Sequence, residues 1–291
     1  MKVVVTGASG QLGREIVRLL RTAGHEILAS DLRELDIGDR SSVESELERI
    51  HPDLVVNCAA YTDVERAETD REAAMRANRD GPMHLAELST RCGALLVHYS
   101  TDFVFDGLKA APYTEEDTPN PLSHYGRTKL DGDLQVLKTA PQHLLIRTSW
   151  VFGHGPKNFV LAIARKVLER EPLRVVCDQR GSPTYARDIA DATMRLLETG
   201  ARGLMNFCND GDCTRLEYAR EIARQLGAGP DYEIAPRLTA ELQQTAVRPA
   251  YSTLDCARYR ALTGRRPRPW QAALQDYLAA EFPDRKVSQP L

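Results

Sequence analysis

The chain has 291 residues, enough for one large domain or two modest ones. Its formal net charge of −3, with 27% charged residues, argues against a basic nucleic-acid-binding face. No apolar run approaches the roughly 20 residues of a transmembrane helix, and Met1 and Lys2 lead into a strand-like run without a signal peptide. We therefore predict a cytoplasmic protein that binds neither nucleic acid nor membrane.

Strand-like and helical segments alternate through the first half of the chain. Strands are predicted at Lys2–Thr6, Glu26–Ser30, Leu54–Cys58, Leu95–Ser100 and Leu144–Thr148. Helices are predicted between and after them at Arg14–Thr22, Ser41–Ile50, Arg71–Cys92 and Tyr125–Lys138. This alternation is typical of an α/β fold with a doubly wound parallel (Rossmann-type) sheet. Ligands of such sheets bind at the carboxyl ends of the strands.

The second half is less regular. Helices are predicted at Asn158–Glu169, Ala186–Glu198, Thr214–Leu226 and Trp270–Phe282, and strands at Leu173–Asp178 and Gly203–Cys208. The polar tail Pro283–Leu291 is expected to fray. We predict a dinucleotide-binding domain at residues 1–152, completed by segments near 184–208, and a smaller substrate-binding lobe made of residues 153–183 and 209–291.

Cysteine and histidine spacing disfavours a metal site. The six cysteines form no C-x-x-C pair, and the seven histidines form no H-x-x-x-H or H-E-x-x-H pair. Free thiols in a reducing compartment are the simplest interpretation. We predict no metal and no disulfide.

A glycine-rich turn follows the first predicted strand. The β-branched run Lys2–Thr6 leads into Gly7-Ala8-Ser9-Gly10-Gln11-Leu12-Gly13 and then into an amphipathic helix. In such a turn, Gly7 permits the tight bend, Gly10 lets the backbone approach a pyrophosphate, and Gly13 allows close helix–strand packing. N–H groups at the helix start then face the phosphates. The sequence therefore predicts a dinucleotide site.

The residues after the second strand bear on the choice of dinucleotide. Asp31 stands at the expected distance to bind the adenosine ribose, which favours NAD. Arg33, two residues further on, could instead meet a 2′-phosphate. The prediction is therefore NADPH or NADH.

Tyr125 and Lys129 lie four residues apart, on one face of a predicted helix. A neighbouring ammonium lowers the pKa of a phenol, which can then exchange a proton with a carbonyl or alcohol oxygen. The hydroxyl of Thr101, after the fourth strand, could hold that same oxygen. The Y-x-x-x-K spacing alone is weak, and its weight comes from the glycine turn in the same chain.

These motifs, with several longer runs, resemble the dTDP-4-dehydrorhamnose reductase family of extended short-chain dehydrogenases/reductases. The runs that carry the resemblance are Asn57–Thr62, His98–Gly107, Arg147–Phe152, Asp178–Thr184 and Arg248–Asp255. The resemblance covers nearly the whole chain and weakens after about residue 205, except for the last run. It implies a reductase that converts dTDP-4-dehydro-β-L-rhamnose to dTDP-β-L-rhamnose.

The resemblance also implies roles for individual cofactor-site residues. The pyrophosphate would meet Gly7, Gly10, Gln11, Leu12 and Gly13; the ribose would meet Asp31; the adenine would meet Asp36 and Ile37. The dinucleotide beyond the third strand would be lined by Ala59, Ala60 and Tyr61, and its nicotinamide ribose would meet Tyr125 and Lys129. The family often has histidine where Tyr61 stands, so only a backbone role carries over there. Asn78 resembles the helix asparagine of extended reductases.

For the substrate side, the resemblance implies that Thr101, Tyr125 and Lys129 are catalytic and that Asp102 and Trp150 contact the sugar. Trp150 follows an apolar strand, so a packing role stays open beside a substrate contact. Arg180 and Arg248 lie in loops and could clamp a diphosphate. Some relatives hold magnesium between subunits. Glu15 fits one such position but Arg187 replaces an acid, so the chain could be a monomer or a homodimer.

Two alternatives to this function remain at the level of sequence. The first is a reductase of another nucleotide-linked 4-keto-deoxysugar, because the poorly matched second half builds the sugar pocket. The second is a non-catalytic protein like the regulatory subunit of methionine adenosyltransferase, which resembles this family. Intact Thr101, Tyr125 and Lys129 argue against the second alternative.

Overall fold

The computed structural model describes residues 1–229, 231–285 and 287. The strands are β1 (Lys2–Thr6), β2 (Glu26–Ser30), β3 (Leu54–Asn57), β4 (Leu95–Thr101), β5 (His143–Thr148), β6 (Val151–Phe152), β7 (Leu173–Val176), β8 (Arg180–Gly181), β9 (Thr184–Tyr185), β10 (Gly203–Asn206), β11 (Cys213–Thr214) and β12 (Ile234–Arg237). The α-helices are α1 (Gln11–Thr22), α2 (Arg40–Ile50), α3 (Arg71–Met75), α4 (Gly81–Cys92), α5 (His124–Thr139), α6 (Phe159–Leu168), α7 (Ala186–Glu198), α8 (Arg215–Gln225), α9 (Ala257–Thr263) and α10 (Trp270–Glu281).

Six parallel strands form the central sheet, in the order β10-β5-β4-β3-β1-β2. All four residues of β3 are buried, as expected for an inner strand covered on both faces. One apolar core includes Val3, Val5 and Ile146, and another includes Val4, Val55 and Leu145. Because side chains alternate along a strand, these two cores lie on opposite faces of the sheet. The predicted doubly wound α/β fold is confirmed.

The second half of the chain builds a separate apolar core and three short ribbons. The ribbons pair β6 with β9, β7 with β12, and β8 with β11. The core contains the ring of Phe152, which stacks on Tyr185 at 5.3 Å and meets Tyr277 edge-on. In the same segment of the chain, β10 returns to pair with β5 in the main sheet. We propose the predicted domain limits, with exceptions at the boundaries: Phe152 and Tyr185 belong to this second core, whereas Leu254, Cys256 and Tyr259 pack in a core of the central sheet.

One predicted helix is interrupted. Arg71–Cys92 was expected as a single helix, but residues Arg76–Asp80 form a π-helical turn between α3 and α4. Pro82 lacks the N–H that would bond the carbonyl of Asn78, four residues earlier, which favours a wider turn there. Gly132 of α5 packs against that same carbonyl oxygen, and any side chain at Gly132 would collide with it.

The remaining differences concern ends and short elements. Predicted helix and strand limits are off by a few residues, as at α1, which begins at Gln11 rather than Arg14. Thr214, the first residue of the predicted helix Thr214–Leu226, caps α8 and forms a capping box with Glu217. The helix α9 and the strand β12 were not predicted. Residues 286 and 288–291 of the predicted frayed tail lie outside the described residues.

The six cysteines are all free thiols. Cys208 and Cys256 lie side by side in the core, with 3.5 Å between their sulfur atoms. Among the described residues, no cluster of three or more His, Cys, Asp or Glu side chains could hold a metal ion. In the same part of the chain, no helix is both long and apolar enough to cross a bilayer.

Candidate active site

The glycine turn adopts the geometry that the sequence predicts. Gly7 has a φ of 62°, and a Cβ there would lie 2.7 Å from the backbone nitrogen of Ala59. A Cβ at Gly13 would collide with the carbonyl oxygen of Gly7. Gly10 precedes α1, so the free N–H groups of the first helical turn begin at Gln11 and point out of the sheet edge. This turn therefore fits a pyrophosphate, which binds helix N-termini through such groups.

The adenosine side of the turn is only partly as expected. Asp31 follows β2, and its Oδ1 accepts a hydrogen bond from the backbone N–H of Ser9 (3.0 Å), which holds the carboxylate beside the turn. Asp36 pairs with Arg76 at 2.6 Å. The Ile37 side chain is 4% exposed and packs in the core against Gly81. The predicted contact of Ile37 with an adenine would therefore be made through its backbone.

The segment after β3 is clamped through its backbone. Asn78, on the π turn, accepts a hydrogen bond from Tyr61 N–H (2.9 Å) and donates to the Tyr61 carbonyl (3.0 Å). The Tyr61 hydroxyl points elsewhere, donating to Asp70 at 3.2 Å. Asn78 also donates to Thr128 on α5. The π turn thus fixes Ala59–Tyr61 beside the glycine turn, and the side chain of Tyr61 takes no part.

Thr101 and Tyr125 meet where β4 and α5 approach each other. Thr101 ends β4, and its hydroxyl caps the short turn that follows by accepting Phe103 N–H (3.2 Å). Ser123 caps α5 in the same way by accepting Gly126 N–H. The Tyr125 ring meets Phe103 edge-on at 5.7 Å. A side chain at Gly126 would collide with the Phe103 carbonyl, so the helix start is fixed against the end of β4.

The protonation state of Tyr125 differs from the expectation. Burial raises the pKa of Tyr125, the negative charges of Asp102 and Asp133 add to the rise, and the Thr101 hydroxyl opposes it. Lys129 was expected to lower this pKa, but its ammonium is 3% exposed and donates to the Tyr99 carbonyl at 2.7 Å. In this state Tyr125 is a neutral phenol, the form that can donate a proton to an oxyanion.

A cavity of about 670 Å³ opens in the second half of the chain, between α6, β7 and α8. Its cationic lining residues are Lys166, Arg174, Arg215, Arg237 and Arg248, and no Asp or Glu lines it among the described residues. The chain as a whole carries a net charge of −3. A basic cavity in an acidic protein selects an anionic ligand. Phe159 and Ile163 supply an apolar wall on which a flat ring can pack.

Arg215 links this cavity to the end of β4, and no local pattern in the sequence marks it as a site residue. Its guanidinium lies 3.4 Å from the centre of the Trp150 ring. Burial lowers the pKa of Arg215 to about 10, and the negative charge of Asp102 acts against that fall. At neutral pH the guanidinium is therefore a half-buried cation between the cavity and the end of β4.

Trp150 is held by the protein on more than one side. Arg215 covers its ring, and a Cβ at Gly181 would lie 2.6 Å from its Cε2 atom. Its φ of 43° is unusual for a non-glycine residue, and such strain is often found at functional sites. The ring is a packing platform for Arg215, so the face that Arg215 covers is closed to a sugar.

Arg180 and Arg248, both predicted as ligands of a diphosphate, have different surroundings in the structure. Arg180 pairs with Asp212 at 2.6 Å and with Glu217 at 3.1 Å, and it is not among the residues lining the cavity. Both carboxylates offset its charge in this structure, so a role in binding a diphosphate requires that these pairs break. Arg248 lines the cavity and is paired once, with Glu65 at 3.1 Å.

Asp102 is buried rather than open to a ligand. It is 2% exposed, and it accepts hydrogen bonds from Ser252 (2.5 Å) and Thr101 (3.1 Å). Burial raises the pKa of Asp102 to about 6, against the effect of these hydrogen bonds and of Arg215. Its clearest role in this state is to orient Thr101 and to join the 248–255 run to the end of β4.

Comparison with known proteins decides the family. The family described as "RmlD substrate binding domain" matches residues 1–282. A protein from Mycobacterium tuberculosis (strain ATCC 25618 / H37Rv), named dTDP-4-dehydrorhamnose reductase, is 39% identical over 286 residues, covering 96% of this chain and 93% of that protein. The chain belongs to the dTDP-4-dehydrorhamnose reductase family. A Streptomyces antibioticus relative of this family, named a probable dTDP-4,6-dihydroxy-2-methyloxan-3-one 4-ketoreductase, is 40% identical over 290 residues, covering 97% of this chain and 98% of that one.

Solved structures of this family have the same fold as the chain. A dTDP-4-dehydrorhamnose reductase from Clostridium acetobutylicum superposes with a TM-score of 0.92 at 36% identity, covering 97% of this chain and 99% of that one. The Bacillus anthracis enzyme, solved in complex with NADP, gives 0.91 at 34% identity, covering 96% and 99%. The predicted class, an NAD(P)H-dependent oxidoreductase of the extended short-chain type, is confirmed. The individual site residues stay predictions.

Proposed function

We propose that this chain reduces the 4-keto group of dTDP-4-dehydro-β-L-rhamnose to give dTDP-β-L-rhamnose, with NADPH or NADH as the reductant. One observation supports this most: the Tyr125 phenol and the Thr101 hydroxyl lie together at the end of β4, and Arg215 connects that end to a cavity. Among the described residues, the charged side chains that line this cavity are all basic. Family relatives with this named activity cover nearly the whole chain.

The residues for the cofactor are those of the glycine turn, Asp31, the Ala59–Tyr61 backbone and Lys129. They fit a dinucleotide because side chains at Gly7 and Gly13 would fill the turn. When bound, the reduced nicotinamide supplies the hydride that adds to C4 of the keto-sugar. The positive charge of Lys129 favours the electron-rich hydroxyls of the nicotinamide ribose.

The chain itself supplies the proton. As C4 gains a hydride, its oxygen becomes an alkoxide, and Tyr125 Oη donates a proton to that oxygen. The O–H bond of Tyr125 breaks, an O–H bond forms on the sugar, and the tyrosinate is reprotonated from solvent after turnover. Thr101 Oγ1 donates to Asp102 in this structure, and with substrate bound it turns its single proton to the same sugar oxygen, where negative charge is greatest in the transition state.

The diphosphate and the thymine occupy the basic cavity in this proposal. Arg215 and Arg248 are the cations that line it nearest to the 248–252 run and to Trp150, so they are assigned to the diphosphate. The apolar wall at Phe159 and Ile163 is assigned to the base. This arrangement places the sugar toward Thr101 and Tyr125.

Absorbance of NADPH and NADH, followed with freshly prepared dTDP-4-dehydrorhamnose, tests the function. We expect Tyr125→Phe to lower kcat by about 10²- to 10⁴-fold, because a positioned proton donor is lost. Tyr232→Phe is the matched control, since its hydroxyl donates to Glu171 O in an exposed segment away from the site. A Tyr125→Phe variant that keeps more than half of the wild-type kcat would exclude this residue as the acid.

A second substrate deserves the same assay. The Streptomyces antibioticus relative, named for a different dTDP-linked keto-sugar, is as similar to this chain as the rhamnose-forming relatives are. A panel of dTDP-, UDP- and GDP-linked 4-keto-sugars separates the two. Faster turnover of another dTDP-keto-sugar would replace the substrate while leaving the chemistry of Tyr125 in place.

A further inference from the structure

A buried polar cluster lies between α5 and the central sheet, one helical turn beyond Lys129. Its members come from three strands and one helix: Asn57, His98, Ser100, Lys129, Asp133 and Arg147. Asp133 is fully buried, and His98, Lys129 and Arg147 are each at most 3% exposed. Such a concentration of ionisable groups in a protein interior is costly unless their charges offset one another.

Asp133 is the centre of this cluster. It lies four residues after Lys129 and eight after Tyr125, so the three side chains share one face of α5. One carboxylate oxygen accepts a hydrogen bond from Ser100 Oγ at 2.5 Å and lies 4.0 Å from Arg147 Nε. The other lies 3.6 Å from His98 Nε2.

The hydrogen bonds of Asn57 define the tautomer of His98. The oxygen of the Asn57 amide accepts from Ala59 N–H (3.1 Å), so its nitrogen must be the atom that donates to His98 Nδ1 (3.0 Å). Burial and the charge of Lys129 lower the pKa of His98 to about 4, so the ring is neutral at pH 7. Its single proton is therefore on Nε2 and faces Asp133.

The same Asn57 side chain joins the cluster to the cofactor turn. Its oxygen also accepts from Thr6 Oγ1 at 2.7 Å, and Thr6 is the residue before Gly7. Polar contacts therefore run from the end of β1, through β3 and β4, to Asp133 on α5. The Tyr125–Lys129 pair and the glycine turn are linked through the interior of the sheet as well as through the cleft.

We propose that Asp133 is a positioning residue for the reduction: its carboxylate offsets the buried ammonium of Lys129 and, with Ser100 and His98, holds α5 in register with the sheet. This inference rests on the roles proposed above for Tyr125 and Lys129. Asp133 reaches neither cofactor nor substrate, because it lies behind Lys129 and is wholly buried.

The charges around the cluster support this assignment. Tyr125 and Lys129 face Asp133 from its own helix, His98 and Ser100 from β4, and Arg147 from β5. On the far side, Glu115 acts on Arg147. Burial lowers the pKa of Lys129, and Asp133 is the group that opposes this fall. Without that carboxylate, Lys129 and Arg147 would be two buried cations of one cluster.

The test measures two pH profiles of the whole protein: kcat for the keto-sugar, and the dissociation constant of NADPH by isothermal titration calorimetry without substrate. Each profile has a basic limb, the loss of turnover or of binding at high pH that occurs when Lys129 loses its proton. We expect Asp133→Asn to move both limbs to lower pH by about one unit, since removing a nearby anion favours the neutral amine. An Asn at this position keeps the size and an acceptor for Ser100.

Two further variants separate charge from packing. Asp131→Asn changes the same residue type two positions away, on a partly exposed part of α5, and should leave both profiles unchanged. Asp133→Glu keeps the charge and should keep the wild-type limbs even if its melting temperature falls. If Asp133→Asn does not fold, Asp133→Glu alone tests the proposal. This variant keeps the charge, so basic limbs that shift by about one pH unit in it would contradict the proposal.

The binding profile keeps this inference distinct from the proposed function. If wild-type protein binds NADPH but turns over a different sugar, the shift in the dissociation constant still tests Asp133. Unshifted limbs in a folded Asp133→Asn variant would overturn the inference and leave Asp133 as a stabilising residue only.

Discussion

The first half of the chain, with the glycine turn, and the second half, with the basic cavity, differ in one respect. Residue spacing along the chain predicts the site in the first half much better than the site in the second. In the first half, the glycine turn, Asp31, Ala59–Tyr61 and Thr101 each lie at the end of a strand of one parallel sheet or within two residues after it. In the second half, the cavity is lined by two helices, two short strands and a loop near residue 245. The strand order of the central sheet does not predict that these segments meet.

The difference is one of sequence range. A strand, a tight turn and a helix are local, so residue types at fixed spacing determine what the turn can bind. A cation in a cavity wall depends instead on which carboxylates lie nearby after folding. Arg180 and Arg215 both look like free loop or helix-start cations in the sequence, and only tertiary contacts distinguish them.

Exchanging these two arginines for alanine gives the largest expected effect within the second half. We expect Arg215→Ala to raise KM for the dTDP-sugar roughly 10- to 100-fold, because a charge-assisted contact contributes about 1.5–3 kcal/mol. Its loss also uncovers the Trp150 ring. Arg180→Ala is the matched control and should change KM less than about threefold, since exposed ion pairs contribute little. Steady-state kinetics with saturating NADPH checks both.

The opposite ranking would restore Arg180 as the diphosphate ligand and would mean that its pairs with Asp212 and Glu217 break on binding. A fall in kcat without a change in KM for Arg215→Ala would instead place Arg215 in the chemical step through Asp102. Either result would remove the proposed difference between the two arginines.

The fold and the cofactor turn could be predicted because hydrophobic periodicity and glycine positions are local signals. The sequence also predicted that Tyr125 and Lys129 stand on one helix, which is α5. It could not predict that burial raises the pKa of Tyr125, since a pKa depends on solvent access. The π-helical turn at Arg76–Asp80 was not predicted for a related reason. Pro82 is a local signal for it, but the tertiary contact of Gly132 with the Asn78 carbonyl explains why the structure keeps the wide turn.

A smaller effect is expected at Asp31, in the first half of the chain, where residues close together in the sequence form the site. Asp31→Ala removes a carboxylate that would repel a 2′-phosphate, while Arg33 and Arg14 stay nearby. We expect the ratio of NADPH to NADH affinity to rise about tenfold, equivalent to about 1.4 kcal/mol. Fluorescence titration with each cofactor checks this. Asp53→Ala, whose carboxylate binds Lys2 N–H at the far end of β1, is the control. An unchanged ratio would mean that Asp31 acts only on the Ser9 backbone.

Asp102 joins the two halves, and the effect expected there is on the pH dependence of stability rather than on binding or turnover. Its pKa in the folded protein is about 6, above its usual value of 3.8, so the folded state keeps a proton that the unfolded chain releases between these values. Stability contributed by this group is therefore complete below about pH 4 and is lost as the pH rises through 6, by at most about 3 kcal/mol. Urea unfolding of Asp102→Asn at pH 4.5, 6 and 7.5 should show a flatter dependence on pH than the wild type. Asp131→Asn should keep the wild-type dependence of the unfolding free energy on pH. If Asp102→Asn shows the same dependence as Asp131→Asn, the hydrogen bond from Ser252 compensates for the burial of the Asp102 carboxylate.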